Sequence, residues 1–189
     1  MSKRDAILTA GQALFARFGP RKTTVEDIVR MARIAKSTFY QHFTDKEALF
    51  REIVGMEAAS LVEVTRAAAA REGSAREKMK AYFSTRAGRL RELAILYQVT
   101  HETVDEYWPQ ITEVRERHFL EEQGIIRDIL AEGRDRGELG IEDVEQTAYI
   151  IVMAVRGLEM PWMLAASRVD LESGIETVLN GLFAGMQVE

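Results

Sequence analysis

A chain of 189 residues that is 47% hydrophobic can build one large domain, or a small head joined to a larger body. It has no cysteine, which excludes disulfides, thiolate zinc sites and cysteine nucleophiles and permits a reducing compartment. The formal charge of -5 argues against a nucleic-acid partner only until it is divided. Residues 1–55 hold ten Lys and Arg against six Asp and Glu, a net +4, leaving 15 against 24, or -9, for residues 56–189.

Asp5 and Gln12 interrupt the N-terminal stretch before a signal-peptide core can form. The longest apolar run, Ala148 to Val155, ends at Arg156, well short of the roughly 20 residues that span a bilayer. The expected compartment is the cytoplasm, with no membrane partner. Apolar residues recur at spacings of three and four and no stretch alternates at period two, so the expected fold class is all-α.

In chain order, Ser2 and Asp5 form a capping box for a first helix. Ile7, Gly11, Leu14 and Phe18 form its apolar stripe, flanked by Leu8 and Phe15, and Gly19-Pro20 ends it. Thr24 and Asp27 open a second helix of about two turns, with Val25, Ile28, Val29 and Ala32 facing the same core. After Arg33-Ile34-Ala35 a third helix runs KSTFYQHF, and a box formed by Thr44 and Glu47 opens a fourth. The fourth continues from Asp45 through Leu49, Ile53, Leu61 and Val64 to the alanine run before Gly73. Further helices are expected over 74–96, 100–106, 109–136, 142–166 and 171–186, with Gly137 and Gly140 marking the break before the last two. The expected architecture is a three-helix head, residues 1–47, on a larger helical body, residues 48–189, with helix four bridging them.

On the third helix Phe39 and Phe43 share one face, Ser37 and Gln41 point the opposite way, and Thr38 and Tyr40 flank them. Such a helix fits the major groove of DNA, where Lys36, Ser37, Thr38, Tyr40 and Gln41 supply hydroxyls, an amide and a cation near its start. Lys46 in the first turn of helix four, and Thr24 in the equivalent place on helix two, stand where helix dipoles favour a phosphate. A short amphipathic helix with a merely solvated polar face gives the same wheel, so periodicity alone leaves both readings open.

The ordered string TTVEDIVRMARIAKSTFYQHFTDKEALF resembles the signature of the TetR family, in which Thr-Phe-Tyr, an aromatic-terminated recognition helix and Lys-Glu-x-Leu follow in fixed register. The resemblance covers Ser2 to about Ile53. It implies a helix-turn-helix transcriptional repressor that binds double-stranded operator DNA as a homodimer. Lys36, Ser37, Thr38, Tyr40 and Gln41 would then be recognition-helix contacts, and Thr24, His42 and Lys46 would lie on the phosphate backbone. Two departures stand out: Arg33 occupies a turn position that is commonly glycine in the family, and Ala35 replaces the usual capping serine or threonine. Losing such a cap costs about 1 kcal/mol, which leaves the third helix to be held by the packing of Phe39 and Phe43.

In the body, AYIIVMAVRGLEMPW is apolar around most of a helix, as at a subunit interface, and with residues 171–186 it could build a dimeric four-helix bundle. The central core helix of a monomer would read the same way. Tyr97, His101, Tyr107, Trp108, Met160, Trp162 and Met163 are candidates to line a pocket for an apolar or aromatic small-molecule effector, with Phe83 and Phe119 as secondary candidates. A plain core role remains the alternative for each. His101, Glu102 and Asp105, and His118 with Glu121 and Glu122, have spacings a metal could use, but a solvated charged surface is the expected reading and no metal is expected.

HETVD lacks the second histidine of a zinc peptidase, and no phosphate-binding glycine loop or Gly-x-Ser-x-Gly elbow occurs. No catalytic residues, no cofactor and no enzymatic activity are expected. The expected mechanism is release from the operator when an effector in the body shifts helix four. A corepressor-dependent or ligand-independent regulator, or a helical small-molecule carrier, are the alternatives.

Overall fold

The computed structural model describes residues 2–93, 101–163 and 170–186, with side chains over the same ranges except 101–108, 110, 115 and 160–163. Every regular element among the described residues is a helix. They are α1 (Lys3–Lys22), α2 (Val25–Ala32), α3 (Lys36–His42), α4 (Lys46–Ala69), α5 (Ala75–Glu92), α6 (His101–Asp135), α7 (Val144–Met163) and α8 (Leu171–Gly185). The chain forms two compact units, Met1–Ala58 with Leu93–Arg115, and Ala59–Glu92 with Glu116–Glu189.

In the first unit, the capping boxes of Ser2 with Asp5 and Thr24 with Asp27 are both formed. Backbone hydrogen bonding from Ser2 holds the Asp5 carboxyl below its ordinary pKa, and the Thr24 side chain does the same for Asp27. Gly19, at φ 77° and ψ 158°, breaks α1 before Pro20, as the Gly-Pro pair predicts. The apolar stripe is turned from its expected position. Ile7, Leu8, Ala10, Gly11 and Phe15 are buried, whereas Phe18 is 48% exposed under the guanidinium of Arg17, on a side of α1 that the neighbouring helices leave open. On α2 only Ile28 is fully buried.

α4 is capped by Asp45 rather than Thr44: the Asp45 Oδ1 accepts from the Ala48 amide at 2.6 Å. A carboxylate there faces the positive end of the helix dipole, which favours it over the expected hydroxyl. α1 and α4 approach closely at Gly11, where a Cβ would lie 2.8 Å from Leu49 Cδ2 and 3.1 Å from Ile53 Cδ1. Phe15 and Phe50 stack edge-to-face beside this contact, with centroids 5.5 Å apart.

α6 passes unbroken through Pro109, where two helices were expected. Pro109 is exposed, and the one backbone hydrogen bond it cannot donate does not end a helix of this length.

In the second unit, Met79, Tyr82, Phe83 and Ala87 of α5, Ile126 and Leu130 of α6, and Ala148, Ile151 and Val155 of α7 are buried. Ile175 and Phe183 of α8 complete this core.

Candidate nucleic-acid interface

The turn before α3 is built without its usual aids. Arg33 sits in the left-handed region, φ 55° and ψ 48°, with its amide donating to the carbonyls of Val29 and Arg30. Ala35 occupies the N-cap of α3 and provides no side-chain hydrogen bond. The helix is instead anchored by Phe39, fully buried, and Phe43, 5% exposed, whose rings lie 5.8 Å apart. Burying two aromatic side chains is worth a few kcal/mol, more than the absent cap forfeits.

With that face fixed, Lys36, Ser37, Tyr40, Gln41 and His42 stand exposed. Thr38, expected to flank the outward face, is only 8% exposed and belongs to the buried side. Tyr40 is 51% exposed, its ring edge-to-face on Phe39 at 5.4 Å.

Three of the expected contact residues also have partners within the unit. The Thr24 hydroxyl accepts from the Asp27 amide at 3.2 Å and donates to its Oδ2 at 2.6 Å. Lys46 donates from Nζ to the carbonyl of Pro20 at 2.8 Å, leaving two of its three ammonium hydrogens. Lys36 is paired with Glu26 of α2. Their shared hydrogen bond holds the Glu26 carboxyl below its ordinary pKa and raises that of Lys36. Arg30 is likewise paired with Asp27. The Thr24–Asp27 pair is the capping box read from the sequence, whereas the partners of Lys46 and Lys36 were missed because each requires the folded proximity of two elements.

In the second unit the buried polar feature is a chain of charges. Arg86, 4% exposed, donates to Glu159 through Nε and through Nη2, the latter at 3.1 Å, and to Glu122 at 3.0 Å. Arg156 reaches the other Glu122 oxygen at 3.2 Å. Burial by itself would push the Arg86 guanidinium down, but the two carboxylates outweigh it and keep it charged. Burial pushes the nearby Tyr82 hydroxyl up to about 12. Glu122 is therefore not part of a solvated surface, as expected, but of this network.

Of the pocket candidates, Tyr97 lies outside the described residues, as do the side chains of His101, Tyr107, Trp108, Met160, Trp162 and Met163. So do those of Glu102 and Asp105. Phe83 lines a cavity of about 240 Å³ between α5 and α8, floored also by Ile175, Leu179 and Phe183. Phe119 packs on Tyr149 at 5.7 Å with the Arg156 guanidinium over its ring. His118 pairs with Glu121 at 3.1 Å, and no cluster among the described residues could hold a metal ion.

A family model described as bacterial regulatory proteins, tetR family, matches residues 7–53. Over 167 residues the chain is 29% identical to the HTH-type transcriptional regulator QacR of Staphylococcus aureus (strain Mu50 / ATCC 700699), covering 84% of this chain and 85% of that protein. A crystal structure of a transcriptional regulator from Cytophaga hutchinsonii ATCC 33406 superposes with a TM-score of 0.81 at 21% identity, covering 97% of this chain and 98% of that one. The structure of Thermus thermophilus FadR, a TetR-family transcriptional repressor in complex with lauroyl-CoA, has a TM-score of 0.67 at 24% identity, covering 98% and 96%. The two structural likenesses show a shared fold.

Proposed function

Since the chain belongs to the TetR family of bacterial regulatory proteins and is a DNA-binding transcriptional regulator, we propose that it is a repressor, a homodimer released from its operator by a small apolar or aromatic effector. The observation that carries this reading is α3 itself, anchored by Phe39 and Phe43 and presenting Ser37, Tyr40 and Gln41 to solvent. Amide, hydroxyl and phenol groups in that arrangement suit base edges in the major groove, with Lys36 at the helix start. Thr24, His42 and Lys46 hold phosphates, and Thr38 supports the helix from its buried side.

Two recognition helices reading a two-fold operator need a dimer, and α7 offers a face for one. Tyr149, Ile150 and Met153 are 47%, 51% and 46% exposed, an apolar stripe on a helix whose other side is core. The functional division falls at residue 47, with the head before it and the dimerising, effector-binding body, residues 48–189, after it. The candidates to line an effector pocket in that body are Tyr97, His101, Tyr107, Trp108, Met160, Trp162 and Met163. An effector releases DNA only by preferring the released conformation by a few kcal/mol, since equal affinity for both forms shifts nothing.

Selection of bound fragments from random-sequence duplex DNA tests the reading. A palindromic motif is the expected result. Folded, dimeric protein that enriches no motif would count against operator recognition. Adding candidate effectors to the selected duplex then separates release from corepression by the sign of the change in affinity.

A further inference from the structure

We propose that Arg33, in the turn between α2 and α3, is a contact to the phosphodiester backbone of duplex DNA, kept there although it strains the fold. The inference rests on α3 being the DNA-reading helix. Arg33 is the one non-glycine residue with positive φ among the described residues, at φ 55° and ψ 48°. In that region an L side chain brings its Cβ against the backbone, and glycine fits without penalty. A strained residue in a sparsely populated conformation is sensibly asked what it does.

Its surroundings supply the answer. The cations on either side are both committed, Arg30 to Asp27 and Lys36 to Glu26. These four charges cancel. Arg33 is exposed and, among the described residues, has neither an ion-pair partner nor a side-chain hydrogen bond. Two carboxylates lie on α2 within a turn or two of it, and the chain pairs both with other cations. The net positive charge of the turn is therefore the Arg33 guanidinium, three residues before the first residue of α3. A planar guanidinium with parallel N–H donors matches phosphate oxygens, and such a contact fixes the register of the protein on DNA without reading sequence.

The test compares full-length wild type with Arg33→Gly, Arg33→Asn and Arg33→Lys, using the selected operator and a random duplex across a range of salt, alongside urea unfolding. Glycine relieves the backbone, so Arg33→Gly should lower the unfolding constant by about fivefold. The same variant should weaken binding to both duplexes by a similar factor and make the slope of log affinity against log salt shallower by about one. Arg33→Asn, which tolerates the left-handed conformation, should show the same binding loss. Arg33→Lys should restore the slope while remaining strained. If Arg33→Gly and Arg33→Asn leave affinity and slope at wild-type values, or lose affinity for the operator alone, the inference is overturned. Wild-type protein that binds neither duplex would overturn the DNA-binding role of α3 itself, and this inference with it.

Discussion

Lys46 donates from Nζ to the carbonyl oxygen of Pro20 at 2.8 Å, tying the first turn of α4 to the segment that follows the break in α1. The ammonium is thereby held at the carbonyl that precedes the exposed Arg21 and Lys22 in the chain. Lys46→Ala should weaken binding to all DNA sequences alike and make the salt slope shallower by about one unit, as for a single lost phosphate contact. The lost hydrogen bond should also cost about 1 kcal/mol of stability. Affinity measured against salt on operator and random duplexes checks the first, and urea unfolding the second. A change in base preference would contradict the phosphate role.

Tyr40→Ala should weaken operator binding strongly while leaving helical content and the oligomeric state unchanged, because the ring is half exposed and its edge-to-face contact with Phe39 is a small part of the packing of α3. That contact is worth about 0.5–1.5 kcal/mol. Anisotropy titration with operator DNA, together with sedimentation and circular dichroism, separates the outcomes. Unaltered affinity would place the reading face of α3 elsewhere.

Ala35→Ser should stabilise the protein. Ala35 already has the extended backbone of an N-cap, φ -74° and ψ 149°, and lacks only a side-chain acceptor for the first amides of α3. A serine hydroxyl there should add about 0.5–1 kcal/mol, read as a higher urea midpoint at unchanged slope.

Arg86→Met should destabilise by about 3–5 kcal/mol, because it removes the guanidinium that two buried carboxylates share and leaves Arg156 as the remaining cation on Glu122. Urea unfolding of the full chain measures the loss. A loss below about 1 kcal/mol would mean that the two carboxylates find other partners or water when the guanidinium is gone.

The head was legible because its signals are local. A capping box spans four residues, Gly19-Pro20 two, and the aromatic pair of α3 is one turn apart, so each could be recognised without knowing what packs where. The orientation of α1 was misjudged at Phe18 for the opposite reason: its exposure depends on where the neighbouring helices lie. Thr38 shows the same limit at finer scale, since a helical wheel places it at a boundary that only tertiary packing resolves. The Arg86 network joins residues 36 and 73 positions apart and could not be read as pairs. It did leave a trace. Arg86 falls in the buried series Met79, Tyr82, Phe83, Ala87 and Leu90 of α5, and a charge at a core position must find an opposite charge. Pro109 misled because a proline on a solvent-facing side of a long helix is tolerated where one turned toward the core is not.

Gly11 gives the head its mechanical character. With no side chain at that position, α1 seats directly against Leu49 and Ile53, leaving no room for the two helices to slide past one another. A tilt in the opening turns of α4 therefore carries α1 along as one stiff piece, and α2 and α3, packed on α1, travel with it. α3 is therefore carried by a head that is packed as one piece, its reading face set by α1 and α2 rather than by its own seven residues.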